Sequence, residues 1–118
     1  MMKRKPQVLS HVIENHSVTL ALKVDRDIQD FEGHFPTFPL LPGVTQIDWV
    51  LYYAEYYLNL SLPFIGMEVI KFQEPILPEA IVNLQINWDE TKGKLQFTYT
   101  SAQTTTHSTG KIKLGRKE

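Results

Sequence analysis

No cysteine occurs among the 118 residues. Its absence excludes a disulfide framework, a thiol nucleophile and a thiolate metal site. An excess of one charge is missing too. Twelve Lys and Arg stand against thirteen Asp and Glu, a net of −1, so the bulk balance carries no footprint for nucleic acid. There is also no long hydrophobic run. The most apolar stretch, Val44–Leu60, is interrupted by Gln46, Asp48, Glu55 and Asn59, and it is too short and too polar for a membrane span. The opening MMKRKPQVLS carries basic residues with no apolar run behind them, which predicts no signal peptide. Without repeats, low-complexity tracts or linkers, the chain is expected to form one domain over residues 1–118, around a single core, in the cytoplasm.

What is present divides into three parts. QVLSHVIENHSVTLALKVDRD reads as two strands joined by a turn at Glu14-Asn15-His16, with Val18, Leu20 and Lys23 alternating against Thr19, Ala21 and Val24. From Phe31 to Pro42 the prolines forbid a regular helix or a central strand, because each fixes its own φ and pushes the preceding residue towards extended structure. After Gly43, Val44, Ile47, Val50, Leu51, Ala54 and Leu58 recur at helical spacing. The other face carries Trp49, Tyr52, Tyr53, Tyr56 and Tyr57. A helix so apolar all round is expected to be covered on most sides. Four strand-like segments follow, with Ile81, Leu84, Ile86 and Trp88 in one and Leu95, Phe97 and Tyr99 in the next. One long helix and about six strands predict an α+β fold in which an antiparallel sheet curls around the helix.

The stretch GHFPTFPLLPGVTQID at Gly33–Asp48 places a histidine, three evenly spaced prolines, a glycine and a helix bearing an acid in fixed register. It resembles the signature of the β-hydroxyacyl-acyl-carrier-protein dehydratases of the hotdog fold, and His34, Phe35, Pro36, Pro39, Pro42 and Gly43 match it. That family has its acid on the helix fourteen residues after the histidine, where this chain has Asp48. The acid is Glu in one branch and Asp in the branch that also isomerises the double bond. KFQEPILPE at Lys71–Glu79 resembles a second family segment, in which Pro-Gly-Asp stands where this chain has Pro78-Glu79-Ala80. Tyr52 replaces a Gln that helps to orient the acid in the family. The resemblance implies dehydration of 3-hydroxyacyl thioesters on an acyl carrier protein, in fatty-acid or aryl-polyene synthesis, with no cofactor and no metal. It also implies a homodimer, or a heterodimer with a related subunit, whose sites are shared across the interface.

The residue types suit that chemistry on their own terms. Dehydration needs a base at C2, an acid for the leaving hydroxyl on C3, and a donor for charge on the thioester oxygen. A neutral imidazole at His34 serves as base near neutral pH. Asp48 serves as acid if desolvation by Val44, Leu51 and Tyr52 raises its pKa. The Gly43 N–H, at a helix N-terminus, favours an anionic oxygen. Phe38, Val44, Trp49, Tyr52 and Tyr53 are the candidates to bind the acyl chain. His11 and His16 are poorly spaced for a metal, and His107 is expected on an exposed or half-buried strand. Lys3–Lys5 and Arg116–Lys117 read either as solvated ends or as an attraction for an acidic carrier protein. The rival readings are a hotdog thioesterase and an inactive acyl-binding or scaffolding subunit.

Overall fold

The computed structural model describes residues 3–32, 39–102 and 104–115; the candidates His34 and Phe38 lie outside them. Two strands open the fold, β1 (Gln7–Glu14) and β2 (Ser17–Lys23). A single 3-10 turn at Gln29–Phe31 leads towards α1 (Gly43–Leu58). Then come β3 (Phe64–Phe72), β4 (Ile81–Asp89), β5 (Lys94–Ser101) and β6 (Thr105–Leu114). All strand pairs are antiparallel, in one sheet of order β1-β2-β4-β5-β6-β3. The expected turn at Asn15 is present, with Asn15 in the left-handed region at φ 51°, which Asn tolerates better than most residues.

The core lies between the inner face of the sheet and α1. Val18, Leu20 and Leu22 of β2 face inward, and Val24 just beyond continues their alternation, so Lys23 and Val24 take the opposite sides from those expected. In β4 the inward residues are Val82, Leu84, Ile86 and Trp88, while Ile81 is exposed. The alternation that looked imperfect from the sequence is therefore regular once Val82 replaces Ile81 at its start. Leu95, Phe97 and Tyr99 of β5 and Ile112 and Leu114 of β6 complete the face. Each such side chain contributes about 1.5–3 kcal/mol of transfer free energy.

The helix sits against this face in a rotation that the apolar spacing did not predict. Thr45, Gln46, Trp49, Val50, Tyr53 and Ala54 are buried. Val44 is 73% exposed, Tyr52 48% and Tyr56 67%, so the expected coverage on most sides is not supplied by this chain. Relative to the Val44–Ile47–Leu51 stripe, the buried face is turned by roughly one residue, about 100°. α1 ends at Asn59, a left-handed C-cap at φ 57° whose N–H bonds back to the Ala54 carbonyl.

β3 is the edge strand beside β6. It carries exposed Phe64, Ile65, Met67, Val69 and Phe72, and its pairing with β6 slips twice, between Phe64 and Gly66 and between Glu68 and Lys71. Behind the second slip, Ile70 leans over Gly110 of β6. A Cβ on Gly110 would stand 2.4 Å from Ile70 Cδ1 and 2.8 Å from the Phe97 ring. Gly110→Ala is therefore expected to destabilise the fold by about 1–3 kcal/mol through overpacking, read as a lower urea midpoint at unchanged m-value.

Candidate active site

Six of the proposed functional residues, Gly43, Val44, Asp48, Trp49, Tyr52 and Tyr53, belong to one helix. Pro42 caps α1 with extended backbone and no side-chain bond, so the first-turn N–H groups depend on other acceptors. Those of Thr45 and Gln46 turn back to the Pro42 carbonyl. That of Gly43 meets no acceptor among the described residues. Phe72 of β3 crowds Gly43. A Cβ there would lie 2.6 Å from the edge of the Phe72 ring, so β3 closes directly over the start of the helix. Beside this contact opens a mostly apolar cleft of about 390 Å3, lined by Leu41, Gly43, Gln46, Phe72, Pro75 and His107.

Asp48 lies on the outward side of the helix and is exposed. The desolvation expected from Val44, Leu51 and Tyr52 does not arise within this chain, because Val44 and Tyr52 are themselves open and Leu51 is only half-buried. Val44, Asp48, Tyr52 and Tyr56 stand four residues apart and form one exposed stripe. Along it the Tyr52 and Tyr56 rings stack at 6.3 Å and 10°, and the Lys5 ammonium sits 4.6 Å from the Tyr52 centroid. Trp49 and Tyr53, also candidates for the acyl chain, are 1% and 3% exposed. They point into the core, not towards the cleft.

Buried polar bonds hold the first half of the helix. The Tyr99 hydroxyl donates to the Gln46 carbonyl at 2.7 Å. Ser108 Oγ donates to Gln46 Oε1 at 2.7 Å, and Gln46 Nε2 donates to the Leu41 carbonyl at 3.3 Å. Burial pushes the Tyr99 phenol well above its ordinary 10, so it remains a donor at any working pH. His107 corrects its expected exposure: it is buried, with Nδ1 3.0 Å from the Glu74 carbonyl and Nε2 2.7 Å from Ser101 Oγ. A carbonyl only accepts, so Nδ1 carries the hydrogen and the Ser101 hydroxyl donates to Nε2. His107 braces Glu74–Pro75 along the cleft. Sequence reading missed Gln46, Ser108 and His107 as parts of the site; the signal available was a polar residue at an inward helical position.

A second polar cluster lies on the other flank. Arg4 grips Asp30 with Nε at 2.8 Å and Nη2 at 3.0 Å, and the Thr45 hydroxyl donates to the same carboxylate at 2.6 Å. Lys3 pairs with Asp25 and Asp27. Of the basic run Lys3–Lys5, then, two members are already paired within the chain. Glu79 stands where the second family segment has glycine, and it keeps the left-handed conformation at φ 70°. Its carboxylate accepts the Arg26 N–H at 2.7 Å, which offsets part of the backbone strain. Among the described residues no three His, Asp or Glu side chains converge to hold a metal ion, and no helix is long and apolar enough to cross a membrane.

An antiparallel sheet packed around one long helix is the hotdog arrangement. A profile described as ApeI dehydratase matches residues 10–111, and the chain belongs to this ApeI-like dehydratase family. A chain of the dehydratase heterocomplex ApeI:P from Xenorhabdus doucetiae is 44% identical, with a TM-score of 0.89 over 95% of this chain and 99% of its own. The 3-hydroxyacyl-[acyl-carrier-protein] dehydratase FabZ of Koribacter versatilis is 32% identical over 78 residues, 57% of this chain. The match spans 50% of that relative's length. The dehydratase domain from the CurJ module of curacin polyketide synthase shares the fold, with a TM-score of 0.65 at 14% identity over 96% of this chain and 43% of its own.

Burial alone would raise the Asp30 carboxyl, but the bonds from Arg4 and Thr45 outweigh it and hold its pKa below the ordinary 3.8. A depressed carboxyl stabilises the fold fully above its unfolded pKa and loses that contribution as pH falls through the folded value. Wild type is therefore expected to lose more stability than Asp30→Asn below about pH 4, measured as urea midpoints across an acid series.

Proposed function

We propose that the chain dehydrates 3-hydroxyacyl thioesters carried on an acyl carrier protein to trans-2-enoyl thioesters, in the cytoplasm. His34 takes the proton from C2. Asp48 gives a proton to the C3 hydroxyl, which leaves as water while the C2–C3 double bond forms. The Gly43 N–H holds the charge that builds on the thioester oxygen, where a fixed donor at a helix terminus is most effective. The observation that supports this reading is that Asp48 and Gly43 belong to one helix, whose start borders an apolar cleft. An acyl chain gains about 0.8 kcal/mol per methylene on entering such a cleft. Val44 and Tyr52, next to Asp48, are the candidates to contact substrate at the reacting carbons. Phe38 remains a candidate for the far end of the chain, whereas Trp49 and Tyr53, packed in the core, do not line the cleft.

The exposure of Asp48 supports a site completed by a second subunit. An acid needs a drier setting to be protonated near neutrality, and here it lies on an uncovered stripe of apolar and aromatic side chains. The apolar β3 edge presents unpaired backbone groups as well. A second copy joined by a two-fold axis would cover both and yield two equivalent sites, each with His34 from one chain and Asp48 from the other. A related subunit is the alternative occupant, since the similar chain from Xenorhabdus doucetiae comes from a dehydratase heterocomplex.

With a 3-hydroxyacyl-carrier thioester and enoyl absorbance as readout, His34→Ala and Asp48→Asn are each expected to lower turnover by about 10²-fold or more while folding survives. Near-normal turnover in either folded variant removes that residue from the mechanism. Co-expression of the two variants tests the shared site. Random pairing leaves about half the dimers mixed with one live site each, so activity is expected to recover to about a quarter of wild type. No recovery, with mixed dimers confirmed by mass, rules out a site shared between two copies.

A further inference from the structure

We propose that the segment Lys3–Lys5 is a positioning strap for this site, with Arg4 as its working residue through Asp30 and Thr45. The proposal rests on the dehydratase reading above. Asp30 ends two residues before Glu32, the last described residue on the path to His34, and Thr45 lies three residues ahead of Asp48 on α1. Arg4 holds both carboxylate oxygens of Asp30, and Thr45 holds one of them. One buried carboxylate thus ties the root of the histidine loop to the first turn of the acid's helix.

The backbone of the same segment repeats the link. The Gln29 N–H donates to the Lys3 carbonyl at 2.7 Å, and Trp49 Nε1 donates to the Arg4 carbonyl at 3.0 Å. Asp48 therefore sits between two residues, Thr45 and Trp49, that are both bonded to the strap or its carboxylate. Lys3 fixes the strap's near end on Asp25 and Asp27, and Lys5 lies over Tyr52, one turn beyond Asp48.

An ordinary surface ion pair would not need this construction. The Arg4 side chain is 58% exposed, but that of Asp30 is only 6% exposed, so breaking the pair strands a desolvated carboxylate. The grip uses two guanidinium nitrogens, a geometry that lysine does not reproduce. Small displacements of reacting groups lower rates steeply, by about 10²-fold for 1 Å.

The test compares Arg4→Ala, Arg4→Lys and Thr45→Val with wild type in steady-state kinetics and in amide hydrogen exchange. Arg4→Ala and Thr45→Val are expected to lower kcat by about tenfold with KM within about twofold, and to speed exchange at residues 29–32 and 43–49 but not in β4 and β5. Arg4→Lys is expected to recover less than half of the lost rate. The double variant Arg4→Ala/Thr45→Val is expected to fall no further than the weaker single, since both break one link. Val18→Ala, a core change on β2 that lowers global stability, should leave kcat unchanged. Unchanged kcat in Arg4→Ala overturns the proposal, whether or not local exchange speeds up. If wild type dehydrates no thioester, the dehydratase reading falls alone. Local exchange then decides the strap: acceleration confined to 29–32 and 43–49 supports it, and its absence overturns it.

Discussion

The anchoring of Gln46 to the sheet is the constraint on which the site depends. Its carbonyl is held by Tyr99 of β5, its side-chain oxygen by Ser108 of β6, and its side-chain nitrogen reaches the Leu41 carbonyl just before the helix. These are buried bonds, and losing one partner of such a bond costs about 1–3 kcal/mol. They are also directional, which apolar packing is not. They set both the depth and the rotation of the first two turns of α1, so Thr45 and Gln46 turn inward and Val44 and Asp48 turn outward. The Gly43 N–H, the cleft beside Phe72 and the outward acid all follow from that one rotation.

The opposite flank answers the same need by electrostatics. Asp30 is buried on the side away from the Gln46 bonds and is satisfied by Arg4 and Thr45. The helix start is thus held between a neutral network on the sheet and an ionic one on the N-terminal segment. Just before the helix, the Leu41 N–H bonds to the Ile76 carbonyl. What remains uncovered, the Val44–Asp48–Tyr52–Tyr56 stripe and the apolar β3 edge, is the surface we assign to a second subunit.

Much of the fold was legible because it is local. The turn at Asn15, the helical periodicity after Gly43 and the alternation in β4 and β5 marked the order of the elements. The family signature was legible as a string, and it singled out His34, Gly43 and Asp48 together. Less legible was the side each residue faces. Lys23 and Val24 exchanged sides because alternation was counted across Leu22, and Ile81 was taken for Val82 because both are β-branched and apolar. His107 was read as exposed or half-buried because its sequence neighbourhood does not show that the chain returns to cover it. Its partner Glu74 lies 33 residues away.

By itself the sequence determined the element order and the spacing of histidine, glycine and acid, since glycine and short-range periodicity act on the backbone directly. Only the tertiary structure decided how α1 is turned about its axis. The apolar residues of this helix run almost all the way round, so hydrophobicity leaves several rotations nearly equal. The choice falls to hydrogen bonds from Tyr99 and Ser108, which are 53 and 62 residues from Gln46 in sequence. No local pattern encodes partners that far apart, and that is why Asp48 could be found from the sequence while its open setting could not.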